Sequence, residues 1–328
     1  MLLLEAAATR CRACGAMYPV SPDGVIDFLG CKNEQNAYFD GLYEEGRLHK
    51  IDDISASAVR TYQNSASLAQ SYLSLCGCDL SHGLENSSIL DVACGSGWVT
   101  AGILMHPNVR HCRLHAFDVS GSGLNLLAGF LKTLSSSNRV EMSLQNAGSM
   151  FFESETFEFI IGSSVLHHFD DVQSFLTDCR RVLTCPGTAT FGEPFAVGYG
   201  LGSAALLLAQ RQLGTNYGAI TELYDDLSLR VRAPSEIVQK LVDKHLFMHS
   251  TFLAMARRAG FKEVEFIPLA SREFYREHFI DELLAERGIC DPILSQTANE
   301  IYRVVFDIFD HESYGHSVAA FIQVVLRA

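Results

Sequence analysis

Residues 89–97 constrain the fold of this chain more than any other segment of its sequence. They read ILDVACGSG, an apolar run with one acid followed by a glycine-rich turn. Glycine tolerates left-handed backbone angles and lets a ligand approach the main chain closely. A helix-like pattern begins at Trp98, so the segment predicts a strand, a tight turn and a helix whose free N–H groups face the turn.

The same alternation of short apolar runs with longer periodic segments continues along much of the chain. The predicted strands are residues 89–92, 113–118, 140–144, 157–162, 188–192, 262–267 and 317–326. Strands that alternate with helices are typical of a parallel sheet with crossover helices. The pattern therefore predicts an α/β fold.

Two long interruptions and a distinct amino-terminal region divide the chain. Both interruptions are helical in pattern, and their simplest placement is a cap over the carboxyl edge of the strands, where open parallel sheets bind ligands. The predicted regions are a small β module (1–32), a helical segment (33–86), the core of the sheet (87–194), a helical cap insertion (195–248) and the carboxyl-terminal part of the core (249–328), which holds a second insertion (270–313).

Composition excludes several classes of protein. The 328 residues are 48% hydrophobic, which excludes a wholly disordered chain. With 25 Lys and Arg against 38 Asp and Glu, the net charge is −13, so nucleic acids and anionic membranes are disfavoured partners. The most apolar stretch, residues 197–209, is too short to cross a membrane. The ten cysteines suggest no disulfide framework, and we expect reduced thiols in a cytoplasmic protein.

Two acids flank the glycine-rich turn. Asp91 lies just before it, and Asp118 ends the second predicted strand, where an acid can accept hydrogen bonds from the two hydroxyls of a ribose. A dinucleotide site would need a third glycine where Thr100 stands, and a pyrophosphate would be repelled by Asp91. A ligand that carries an ammonium group suits this acid better.

Residues 87–194 resemble the core of class I S-adenosylmethionine-dependent methyltransferases. The matching segments, in family order, are LDVACGSG, HAFDVS, QNAGSM, FEFIIGSSVLHHFDD and RRVLTCPGTATFGEPF, followed by ARRAGFKEVEFIPL and SVAAFIQVVLR for the last two strands. The resemblance implies a Rossmann-like sheet of seven mostly parallel strands, with helices on both faces and an antiparallel last strand. The chain departs from the family pattern at Asn146, where Asp is common, and at residues 184–187, where Thr-Cys-Pro-Gly replaces Lys-Pro-Gly-Gly.

The resemblance also implies which residues hold S-adenosylmethionine. The residues expected around its methionine part are Asp91, Ala93, Cys94, Gly95, Ser96 and Gly97. Those expected at the ribose and adenine are Asp118, Val119, Asn146 and Ala147, and those expected near the sulfonium are Ser163, Ser164 and Val165. The helical segment 33–86 is expected to cover the cofactor, with Tyr38, Tyr43 and Tyr62 as candidates for this contact.

Three residues are candidates for binding the methyl acceptor or for removing its proton. His167 and His168 follow the fourth predicted strand, and Glu193 ends the fifth. Either histidine could act as a base or orient the acceptor, or both could simply cap the next helix. Glu193 could bind an amine or a hydroxyl of the acceptor, or it could be a solvated loop carboxylate.

The amino-terminal region resembles half of a zinc ribbon. It contains Cys11 and Cys14 in a CxxC pattern and Cys31 as a third candidate ligand, whereas a structural zinc site needs four. We therefore expect a degenerate module without metal.

The leading functional interpretation is methyl transfer from S-adenosylmethionine to a small molecule, without a nucleic-acid partner or a membrane. One alternative is methylation of RNA or protein, because similar ribbon modules accompany ribosomal-RNA methyltransferases. The other is a scaffold that binds the cofactor without transferring methyl groups. The sequence does not predict the acceptor or the oligomeric state.

Overall fold

The computed structural model describes residues 2–5, 8–11, 15–30, 34–46, 70–231, 243–309 and 319–328. The strands are β1 (Leu2–Glu5), β2 (Ala8–Cys11), β3 (Met17–Pro19), β4 (Val25–Asp27), β5 (Leu84–Glu85), β6 (Ser88–Val92), β7 (Val109–Arg110), β8 (Arg113–Asp118), β9 (Arg139–Leu144), β10 (Phe157–Ser163), β11 (Leu183–Pro194), β12 (Glu263–Pro268) and β13 (Phe321–Arg327). The helices are α1 (Glu34–Glu44), α2 (Trp98–Met105), α3 (Gly121–Leu131), α4 (Val172–Val182), α5 (Ala196–Leu213), α6 (Gly218–Val231), α7 (His249–Arg258), α8 (Arg272–Glu277), α9 (Phe279–Glu286) and α10 (Pro292–Phe309).

The main sheet confirms the predicted α/β class. Its strand order is β12-β13-β11-β10-β6-β8-β9-β4. All neighbouring strands are parallel except β13, which is antiparallel to both β11 and β12. The central strands are buried on both faces, which requires nearly continuous apolar sequence. In β6, Ile89, Leu90 and Val92 have no exposed surface.

The sheet has eight strands, one more than predicted. The additional strand is β4, which pairs in parallel with β9 at the edge of the sheet. Nearby, the ring of Phe28 stacks on that of Phe151 with centroids 4.9 Å apart, and Tyr18 packs edge-on against Phe28. The region assigned to a separate β module, residues 1–32, thus contributes a strand to the main sheet. Cys14 and Cys31 lie outside the described residues, and the zinc-ribbon resemblance stays unconfirmed.

Helix α4 illustrates how the sequence fixes the elements that cover the sheet. Its apolar residues recur at helical spacing and are all buried, namely Val172, Phe175, Leu176, Cys179 and Val182. The carboxylate of Asp171 accepts a hydrogen bond from Ser174 N–H and so caps the first turn.

The helices of the two predicted insertions pack against each other. Helix α5 begins directly after β11, and α8 follows shortly after β12, so both insertions leave the sheet at its carboxyl edge. Helix α10 lies against α5. Within the described part of the chain, no helix is both long enough and apolar enough to cross a membrane.

The close packing of α5 depends on Gly198. A Cβ atom at this position would lie 2.5 Å from the carbonyl carbon of Ala319 and 2.6 Å from Cα of Ala320. Gly200, in the same helix, has no such neighbour within 4 Å. The two glycines therefore differ in their packing while sharing a helix.

Gly198→Ala is expected to lower the free energy of unfolding by about 1–3 kcal/mol, because the added methyl group overlaps backbone atoms that cannot easily move. Gly200→Ala is the matched control and is expected to be neutral or stabilising by up to about 1 kcal/mol, since alanine favours helix more than glycine does. Denaturant unfolding of both variants measures the difference. Equal effects would contradict the close contact.

Candidate cofactor-binding site

The candidate site lies where the connections of the sheet diverge. From β6 the chain proceeds outward to β8 and β9, whereas β10 and β11 extend in the opposite direction. Ligands of open parallel sheets bind in the crevice at this point. Here the crevice opens into a cavity of about 400 Å³.

The glycine-rich turn has the left-handed backbone that its sequence predicts. The φ angles of Ala93, Gly95 and Gly97 are 48°, 55° and 83°, respectively. A Cβ atom at Gly95 would overlap the hydroxyl of Tyr43, and one at Gly97 would overlap the side chain of Leu127. Both glycines are therefore required by backbone angle and by close packing.

Asp118 links the first two strands of the core at this turn. Its Oδ2 accepts a hydrogen bond from Gly95 N–H (2.7 Å), and its Oδ1 accepts one from Ser120 N–H (2.7 Å). Each carboxylate oxygen can accept a further hydrogen bond, so the group can still receive ribose hydroxyls from the cavity. Burial raises the pKa of Asp118, against the lowering effect of these two N–H groups.

The carboxylate of Asp91 points elsewhere. Its Oδ2 accepts hydrogen bonds from the backbone N–H (3.0 Å) and the hydroxyl (2.6 Å) of Thr100, in the first turn of α2. Burial raises the pKa of Asp91 to about 7, although both hydrogen bonds act in the opposite direction. Asp91 does not line the cavity, in contrast to its expected place beside the methionine part of the cofactor.

Helix α1 covers the glycine-rich turn from outside the sheet. Asn36 donates a hydrogen bond from its side-chain amide to the carbonyl of Val119 (2.8 Å), and Asp40 accepts one from Ser120 (2.8 Å). Tyr43 reaches the turn itself and lines the cavity, and its contact with the cofactor stays a prediction. Tyr38 is 42% exposed and does not line the cavity.

The cavity brings together most of the predicted cofactor residues. Those that line it are Ala93, Cys94, Gly95, Ser96, Asp118, Val119, Asn146, Ala147, Ser163, Ser164 and Val165, together with His168. Gly97 and Asp91 do not line the cavity. Tyr62 falls outside the described residues.

Sequence reasoning missed several residues of the cavity wall. They are Gln35, Phe39, Trp98, Phe117, Gln145 and Phe169. Trp98, Phe117, Gln145 and Phe169 each stand next to a predicted site residue in the sequence. This adjacency could have identified them. Gln35 and Phe39 come from α1, and no local motif marks them.

The charge of the wall indicates what the cavity can hold. Among the described residues that line it, Asp118 is an acid and none is Lys or Arg. A pyrophosphate would find no side-chain cation there, whereas a sulfonium or ammonium group would be attracted. The carboxylate and the close glycine backbone therefore fit S-adenosylmethionine better than a dinucleotide.

Glu193 organises the turn that carries the two histidines. Its side chain has no exposed surface, and its Oε1 accepts hydrogen bonds from the N–H groups of Val165 (2.9 Å) and Leu166 (2.8 Å). Its Oε2 lies 2.7 Å from Nδ1 of His167. Glu193 is therefore not a solvated loop carboxylate, and its contact with the acceptor stays a prediction.

The two histidines differ in their access to the cavity. His168 lines the wall, and its ring packs edge-on against Phe39 with centroids 5.5 Å apart. His167 is largely buried behind it, with ring centroids 4.0 Å apart. His168 is thus placed to contact a ligand, and His167 lies next to it.

Comparison with known proteins identifies one matching family and several similar folds. Residues 90–191 match the family described as "Methyltransferase domain". No curated protein gives a significant sequence match. Geranyl diphosphate C-methyltransferase from Streptomyces coelicolor A3(2), solved with Mg²⁺, geranyl diphosphate and S-adenosyl-L-homocysteine, superposes with a TM-score of 0.51 at 10% identity, over 90% of this chain and 98% of that one.

Two further solved structures are similar over most of this chain. The [4+2]-cyclase SpnF has a TM-score of 0.47 and 17% identity, over 80% of either chain. Phosphoethanolamine N-methyltransferase 2 from Haemonchus contortus has a TM-score of 0.47 and 11% identity, over 88% of this chain and 59% of that one. At such identities the likeness concerns the fold alone.

Asp118→Ala is expected to weaken S-adenosylmethionine binding at least tenfold, because a hydrogen bond to a charged group contributes about 1.5–3 kcal/mol. Asp91→Asn is the matched control: it should leave the affinity nearly unchanged, since Asp91 lies outside the cavity wall. Isothermal titration of both variants checks this. Unchanged binding by Asp118→Ala, or an equal loss in both variants, would contradict the assignment.

The stability of the cofactor-free protein should carry the pH signature of Asp91. A folded-state pKa near 7, above the ordinary value of 3.8, means that the folded chain keeps a proton that the unfolded chain has released. Stability from this group is therefore lost as pH rises from about 4 to about 7. The stability of Asp91→Asn relative to the unmodified chain should rise over that window and level off above it. Urea unfolding at several pH values tests this, and a constant difference would contradict it.

Proposed function

Residues 90–191 form a methyltransferase domain of the S-adenosylmethionine-dependent class, and on this premise we propose that the chain methylates a small-molecule acceptor. The domain match confirms the enzyme class and the cofactor that the sequence motifs predicted. The acceptor and the residues that act on it belong to the proposal.

One observation carries the proposal: the glycine-rich turn and Asp118 meet in a single cavity whose described lining residues include no Lys or Arg. In this arrangement Asp118 binds the ribose hydroxyls, and the turn from Ala93 to Ser96 faces the methionine part. Asn146 and Ala147 then lie at the adenine. S-adenosylmethionine supplies a methyl group activated by its positive sulfur, so the chain has mainly to orient and desolvate the reactants.

The acceptor is proposed to enter beside His168. Residues Ser163 to Val165 lead from the cavity to the turn that holds both histidines. Methyl transfer requires an in-line approach of the nucleophile, and an acceptor hydroxyl or amine must also lose a proton. We propose that His168 and His167, held from behind by Glu193, assist this loss.

The proposed acceptor class rests on access and charge. Helix α1 lies over the cofactor side of the cavity, and its Gln35, Phe39 and Tyr43 form part of the wall. A chain of net charge −13 repels the phosphates of RNA, and no Lys or Arg lines the described cavity wall. A small molecule fits these constraints better than RNA does.

The full-length protein, incubated with methyl-labelled S-adenosylmethionine and a host-cell extract separated by size, should label the low-mass fraction. Asp118→Ala should lose this labelling, because its cofactor binding is weakened. His82→Ala is the control, since His82 lies on the surface with an 85% exposed side chain. Label in RNA or protein would support the first alternative. Cofactor binding without label in any fraction would support a non-methylating scaffold.

A further inference from the structure

A second group of ligating side chains lies at the edge of the cavity. It consists of His167 and His168 on the turn after β10, and Asp243 on the segment that precedes α7. Asp243 Oδ1 lies 3.2 Å from Nδ1 of His168 and 3.9 Å from Nε2 of His167. One ligand atom from each residue falls within 4.8 Å of the others, a separation compatible with a shared metal ion.

Glu193 fixes the orientation of the first histidine. A carboxylate oxygen accepts hydrogen bonds, so Nδ1 of His167, 2.7 Å from Oε2 of Glu193, is the donor of this pair. The other ring nitrogen, Nε2, faces Asp243 at 3.9 Å. Histidines that bind metals commonly donate their other ring N–H to a carboxylate in this way, which sets the tautomer and the ring orientation.

The main chain holds the third residue in place. Lys244 N–H and His245 N–H both donate to the carbonyl of His167, at 2.7 Å and 3.1 Å. The segment that carries Asp243 is therefore tied to the turn that carries the histidines. These backbone hydrogen bonds, in addition to the ion pair between His168 and Asp243, keep the three candidate ligands close together.

We propose that His167, His168 and Asp243 bind one divalent transition-metal ion of the kind that prefers imidazole ligands, with Zn²⁺ as the representative ion. Two imidazoles and one carboxylate suit Zn²⁺ and related ions, whereas Mg²⁺ prefers oxygen ligands. The side chain of Asp243 is 51% exposed and that of His168 is 22% exposed, so water or another ligand can reach the ion. An open coordination position is characteristic of catalytic rather than structural metal sites.

Neighbouring cations are engaged with other acids. Lys244 Nζ lies 3.6 Å from Asp170, and Arg230 lies 3.4 Å from Asp226.

The competing interpretation is a simple ion pair between His168 and Asp243, and it predicts no specific metal binding.

A metal ion at this place would bear on the reaction, provided that the proposed function is correct. His168 belongs to both the cavity wall and the metal cluster. An acceptor oxygen or nitrogen bound to the ion would release its proton more readily, because a metal ion lowers the pKa of a bound group. The histidines would then assist the acceptor through the metal. Metal binding itself is measured without any acceptor.

The test uses the full chain with Cys11→Ser and Cys14→Ser, which removes the CxxC pair as a competing ligand set. Zn²⁺ is titrated by calorimetry, and Co²⁺ is titrated by visible absorption. The expected result is one equivalent of either ion and a Co²⁺ spectrum without thiolate charge-transfer bands. Mg²⁺ should give no heat of specific binding.

Asp243→Asn locates the ion, and Asp170→Asn is the matched control, because Asp170 is a neighbouring carboxylate outside the cluster. Asp243→Asn should lower Zn²⁺ affinity at least about tenfold, which is the lower limit for losing even an indirect partner of a metal site. Absence of one-equivalent binding, or equal affinity in both variants, would overturn the proposal. Metal binding in a protein that methylates nothing would refute the proposed function and leave the metal site standing.

Discussion

The hydrogen bond between Gly95 N–H and the carboxylate of Asp118 is the contact on which the site depends. It joins the turn after β6 to the end of β8, and it forms while Gly95 holds a left-handed backbone angle (φ 55°) that glycine adopts without strain. The second oxygen of the same carboxylate holds Ser120 N–H at the start of α3. One buried group therefore fixes two turns and still presents acceptor capacity to the cavity.

Glu193 plays the corresponding part on the other side of the sheet's switch point. Its two oxygens hold the N–H groups of the turn after β10 and one ring nitrogen of His167. Each of these carboxylates thus accepts hydrogen bonds from backbone N–H groups in the turn that follows a strand. Asp118 and Glu193 therefore have the same arrangement, a buried acid at a strand end that holds the following turn.

The sequence predicted the parts of the site that lie at the carboxyl ends of the strands. The glycine-rich turn was predicted because its geometry is local, and Asp118 was predicted because it ends the next strand of the same series. Contacts made over long stretches of chain could not be found in this way. Gln35 and Phe39 reach the cavity from α1, and strand β4, in the region assigned to a small β module, pairs with β9 more than 100 residues later in the chain. The contacts of Glu193 with the turn after β10 were also not predicted, because the sequence cannot show that an acid at the end of a strand is wholly buried.

The acids around the turn impose a cost that explains which ligand suits them. Burial raises the pKa of both Asp91 and Asp118, and the charge of Asp118 adds to the rise at Asp91 as the charge of Asp40 adds to that at Asp118. A ligand with a positive sulfur and an ammonium group is attracted by the carboxylate of Asp118, which lines the cavity. Since it binds only the folded chain, it also stabilises the fold by mass action. Helix α1, which carries Asp40 and Tyr43, shares in that stabilisation, so the cover of the cavity and its ligand are thermodynamically coupled.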